Sequence, residues 1–95
     1  MLSIYKTKEV QDIFVASPKY LENNSINNNN DLFNKGSFML LEKGNVTRNH
    51  IDNYFNSLNI SITPEIEASN MDFLIECAKM NLGITSIFHI LLVMY

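Results

Sequence analysis

The sequence has no tryptophan, a single cysteine, two prolines and three glycines. One thiol, Cys77, excludes an internal disulfide and agrees with a reducing compartment, so a cytoplasmic location is expected. Arginine is as scarce: Arg48 stands alone among seven basic residues, and the net charge is −3. Duplex-DNA-binding domains carry a basic footprint, yet no Lys/Arg cluster here exceeds the pair Lys6 and Lys8. Direct nucleic-acid binding by this chain is therefore not expected. Long hydrophobic runs are missing too. Ile84 to Tyr95 is apolar apart from Thr85, Ser86 and His89, but it falls short of the roughly 20 residues that span a bilayer. No apolar run follows Lys6 and Lys8 in the manner of a signal peptide, so no membrane association is expected.

Catalytic signatures are also lacking. The sequence shows no Walker loop, GxGxxG, CxxC or HExxH, and neither His50 nor His89 has a partner at metal-ligand spacing. No catalytic residue, metal or cofactor is expected. Cys77 falls beside an apolar helical stripe and reads as core packing rather than as a nucleophile. Asp72 and Glu76 read as acids on a helix surface, and His50 as a solvated helix residue.

What is present suffices for one small domain: 95 residues, 46% hydrophobic and 18% charged. Asp12-Ile13-Phe14-Val15-Ala16-Ser17 reads as a buried strand. Pro18 ends it and opens a short helix carrying Lys19, Tyr20 and Leu21, with Ser17 as N-cap. Asn23 to Asn30 is asparagine-rich, and reads as a surface loop because these side chains compete for backbone hydrogen bonds. Phe38-Met39-Leu40-Leu41 is a second buried strand, entered through Gly36 and ended at Gly44-Asn45. Ile51, Tyr54, Phe55 and Leu58 then repeat at helical spacing, with Asn45 or Thr47 as cap and Asn59 as the left-handed stop. Ile60, Ile62 and Ile66 predict a third strand around Pro64. Ser69 and Asp72 resemble a capping box ahead of the stripe Met71, Leu74, Ile75 and Ala78. Gly83-Ile84-Thr85-Ser86-Ile87 starts a fourth strand. The alternation argues for an α/β layer fold with a mostly parallel sheet and flanking helices.

In this setting, Phe38-Met39-Leu40-Leu41-Glu42-Lys43-Gly44-Asn45-Val46-Thr47-Arg48 resembles the strand, turn and Arg-bearing helix start of LysR-type effector domains. Ile51-Asp52 and Tyr54-Phe55 are similar to the helix that follows, Pro64-Glu65-Ile66-Glu67 to the next strand, and Leu74-Ile75 with Leu82-Gly83-Ile84 to the later helix and turn. Ile13-Phe14-Val15-Ala16-Ser17-Pro18 resembles the strand that enters the second lobe. The resemblance spans about residues 9–87. It implies a single lobe of a periplasmic-binding-protein-like (type 2) fold, with 1–95 forming a partial effector-binding domain and no DNA-binding domain. Asn45 stands where the family usually has Ser, and Asn81 where it often has Gly. Residues 88–95 resemble nothing in the family, and a frameshift or premature stop is the expectation there.

The resemblance implies a small, anionic effector bound in the intact regulator, weakly here because half of the cleft is missing. The candidate effector-binding residues are Asn45, Val46, Thr47 and Arg48, where a helix start favours an anion, then Ser69 and Asn70, and finally Ser17. Each has a plainer reading as a helix cap, and Arg48 as the partner of a nearby acid. The first reading is thus a truncated regulator fragment. Two alternatives stay open beside it: an interaction module that forms homo- or heterodimers with LysR-type effector domains, and an unrelated small α/β enzyme.

Overall fold

The computed structural model describes residues 3–6 and 12–88. Strand β1 (Ser3–Lys6) pairs antiparallel with β2 (Asp12–Ala16). Pro18 then occupies the first turn of helix α1 (Pro18–Asn23), where its missing N–H costs no helical bond, and the Ser17 side chain caps that helix as expected. Helix α2 (Asn29–Lys35), strand β3 (Phe38–Leu41), helix α3 (Val46–Ser57), strand β4 (Ile66–Ala68), helix α4 (Met71–Lys79) and strand β5 (Ile84–Phe88) complete the order.

The five strands form one sheet in the order β1-β2-β5-β3-β4. β3 pairs parallel with both β4 and β5, while β2 runs antiparallel to β5 and to β1. Four strands therefore share one direction and β2 opposes them. The chain steps from β3 outward to β4, then back across β3 to β5. Right-handed crossovers in opposite senses must place their helices on opposite faces, and the core shows this. Phe38 and Leu40 pack with Phe14, Ile51, Phe55 and Ile84 on the α3 face. Met39 and Leu41 pack with Leu74, Cys77 and Ala78 on the α4 face. The alternation of β3 between two cores explains why its four residues are all buried.

Several expectations need correction. The asparagine-rich stretch is a loop only from Asn24 to Asn28: Asn23 is the last residue of α1, and the Asn28 side chain caps α2 by accepting from the Asp31 N–H at 2.8 Å. Leu32 buries fully in that helix, and Ile26 buries in the loop before it. The third strand is shorter than expected: pairing starts at Ile66, while Ile60 and Ile62 are partly buried against the α3-face core without joining the sheet. Leu58 is the C-cap of α3 and 39% exposed, so it falls outside the core stripe. Asn59 takes the left-handed conformation expected of it, with φ of 56°, and Asn81 takes the same conformation at 65°. Among the described residues no helix is long and apolar enough to cross a membrane. The divergent tail beyond Phe88, with His89, lies outside the described residues.

Candidate ligand site at the carboxyl edge of the sheet

β3 and β4 lie side by side with Leu41 opposite Ala68, so both chains leave the sheet at one edge. The Glu42 N–H donates to the Ala68 carbonyl at 3.0 Å and ties the two exits together. After β3 the chain turns through Gly44, at φ +94°, a conformation that costs a side-chain-bearing residue steric strain. Asn45 then caps α3, its Oδ1 accepting the Thr47 N–H at 2.8 Å. After β4, Ser69 makes a bend and Asn70 caps α4, accepting the N–H groups of Asp72 at 2.8 Å and Phe73 at 3.3 Å. The cap of α4 is thus Asn70 and not Ser69, because the strand's exit takes one more extended residue before the helix turns.

Two helix N-termini therefore meet the same edge, but they are not equivalent. Asp72 sits in the first turn of α4 and complements its positive pole, whereas the first turn of α3 holds no acid. Val46 is 66% exposed and Thr47 is 4% exposed. The Thr47 hydroxyl makes no hydrogen bond to another described residue.

Arg48 behaves differently from its neighbours. Its side chain is 3% exposed and folds back along α3. Nε donates to Asp52 Oδ1 at 2.9 Å, and Nη1 donates both to the Leu41 carbonyl at 2.9 Å and to Glu67 Oε2 at 2.6 Å. Burial works against its charge, but the hydrogen bonds to Glu67 and Asp52 outweigh that, and its pKa is raised above the ordinary value. The reading of Arg48 as the partner of nearby acids is the one the geometry matches. It joins the end of β3, β4 and α3.

Ser17 does not belong to this cluster. Because β2 runs against its neighbours, Ser17 leaves the sheet beside the start of β5, at the opposite edge. Its hydroxyl accepts the Tyr20 N–H at 3.0 Å and donates to Asn81 Oδ1. His50 is exposed, Cys77 is buried, and Glu76 pairs with Lys79 at 3.5 Å on the surface of α4.

No family model, curated protein or solved structure matches the chain. The site is therefore read from its own chemistry. One feature of that chemistry was not legible in the motifs: a pocket of about 210 Å³ on the flank of α3. Lys43, Arg48, Asp52 and Asn56 border it, with Phe55 below and Ile60 to Ile62 opposite. Its signal was the spacing 48, 52, 55 and 56, a helical stripe that mixes charge with an aromatic ring.

Proposed function

We propose that this chain is the second ligand-binding lobe of a LysR-type effector domain, and that the carboxyl edge of β3 and β4 forms one wall of a cleft for a small anion. The start of α3 carries this reading. It combines a helix pole with no acid in its first turn, a Thr47 hydroxyl that bonds to no other described residue, and a second helix start on the adjacent parallel strand. Open α/β sheets bind ligands beyond the carboxyl ends of their strands, and free helix N–H groups receive anions. Asn45, Val46 and Thr47 make the main contact in this reading, with Ser69 and Asn70 beside them. Arg48 acts as a positioning residue that fixes the helix start against both strands. In the intact regulator, the first lobe would supply the opposite wall, so the lobe alone binds weakly.

Nuclear magnetic resonance titration with benzoate, and separately with inorganic sulfate, tests this. Saturable amide shifts centred on residues 46–48, with smaller ones at 70–72, are the expected result, and Thr47→Val should weaken them. Shifts absent from the α3 start, or unchanged by Thr47→Val, would remove the basis of the reading.

A second reading, association with full-length relatives, draws on β4. This three-residue strand ends the sheet order, and its outer edge is unpaired among the described residues. Co-purification with a full-length LysR-type protein checks it.

A further inference from the structure

The pocket on the flank of α3 is lined by none of Asn45, Val46, Thr47, Ser69 and Asn70 and meets the helix starts only at Arg48, and its wall contains an unusual donor. Arg48 is 3% exposed in its side chain, and its Nε and Nη1 are committed to Asp52, Leu41 and Glu67. A guanidinium carries five N–H donors. The two on Nη2 have no acceptor among the described residues, and Arg48 lines the pocket. A buried cation fixed in place by three acceptors and still holding two donors is a preorganised receptor for an oxyanion. Lys43 borders the same space and forms no ion pair among the described residues. With Glu67 counted beside Asp52, the charges of Lys43 and Arg48 are balanced, so the attraction for an anion rests on the directed N–H donors and not on a net positive charge. The rest of the wall is mixed: Asn56 and Ser61 are polar, while Phe55, 3% exposed, and the partly buried Ile60 and Ile62 supply its apolar part.

We infer that this pocket binds a small monocarboxylate with a compact apolar body. The carboxylate sits between Arg48 Nη2 and the Lys43 ammonium, and the hydrocarbon lies on Phe55, Ile60 and Ile62. The volume, about 210 Å³, is below the roughly 300–1,000 Å³ of drug-sized sites, which limits the ligand to a short chain or single ring. Asp52, already bonded to Arg48 through one oxygen, lies where a second negative charge on the ligand would be repelled, so dicarboxylates are disfavoured.

The test uses the whole chain and 4-methylpentanoate as probe, with 4-methylpentan-1-ol as its uncharged counterpart. Saturable amide shifts are expected at Phe55, Asn56, Ile60, Ser61 and Ile62, with the alcohol markedly weaker. Lys43→Ala, at an exposed position that leaves the fold intact, should weaken the acid about three- to tenfold, in line with loss of one screened, charge-assisted hydrogen bond. Equal binding of acid and alcohol, an unaffected Lys43→Ala variant, or no saturable shift along the α3 flank would overturn the inference. Shifts confined to residues 46–48 and 70–72 would also overturn it while supporting the edge site, so the two sites fail separately.

Discussion

Arg48 shows how one side chain can hold three elements together. Its three acceptors belong to β3, β4 and α3, so its removal loosens the junction at which α3 begins. Asp52 and Glu67 are 40% and 44% exposed in their side chains and can regain water, so the two acids themselves lose little when Arg48 is removed. The Leu41 carbonyl cannot do so easily, because Leu41 is only 7% exposed. Replacing Arg48 with Met keeps much of the apolar stem and strands that acceptor. The expected loss is about 1–3 kcal/mol, the range for an unsatisfied buried acceptor, measured as a fall in the urea midpoint. A variant within about 0.5 kcal/mol of the parent, the range of ordinary surface changes, would show that the junction does not depend on Arg48.

At the scale of elements, the decisive structures are the caps. Asn70 satisfies two N–H groups at the start of α4, while Ser69 precedes the helix. Asn70→Ala should therefore cost about 1 kcal/mol, and Ser69→Ala should stay within about 0.5 kcal/mol. Thermal unfolding of both variants measures this, and the reverse order would move the cap back to Ser69. The same pair of residues shows where sequence reasoning reaches its limit. Ser and Asn cap equally well, so composition alone does not choose between adjacent positions, whereas the end of β4 does. At the start of α3 the sequence likewise offered two caps, Asn45 and Thr47, and the end of β3 and the turn at Gly44 select Asn45. Strand β3 was legible because two cores bury it, and β2 and β5 because Phe14, Ala16 and Ile84 belong to the larger of them. β4 was only partly so, because Ile60 and Ile62 bury their side chains without strand pairing. Helix α2 was hidden because it presents few apolar positions, chiefly Leu32 and Phe33, behind an asparagine run that reads as loop. The candidate site divides likewise: sequence placed Asn45, Thr47 and Asn70 at helix starts. The opposite course of β2, which removes Ser17 from the group, is a pairing that local sequence does not encode.

Across the whole molecule, an aromatic cluster joins elements that are far apart in the chain. Phe14 of β2 lies 5.5 Å from Phe38 of β3, 5.7 Å from Phe55 of α3 and 6.0 Å from Phe33 of α2 between ring centroids. Such pairs add to the burial of apolar area, and their convergence on Phe14 ties the antiparallel strand to the parallel part of the sheet. Tyr54 stands at the margin of this cluster, 6.2 Å from Phe14 and 6.1 Å from Phe55. Desolvation raises the pKa of its phenol above the ordinary value of 10.0. The consequence is global. Below about pH 10 the phenol is neutral in both folded and unfolded chains and contributes no pH dependence. Above that, the unfolded chain loses this proton first and binds fewer protons than the folded one, so stability falls as pH rises until the folded phenol ionises as well. Tyr54→Phe removes the component while keeping the ring. The variant should follow the parent at neutral pH apart from a constant offset, then lose stability less steeply from about pH 10 upward, as read from urea midpoints across the alkaline range. Lysine deprotonation acts on both proteins alike, so the difference between the two curves isolates Tyr54. Curves that stay parallel throughout would mean that the phenol meets water as freely in the folded core as in the unfolded chain, and that the cluster does not close over it.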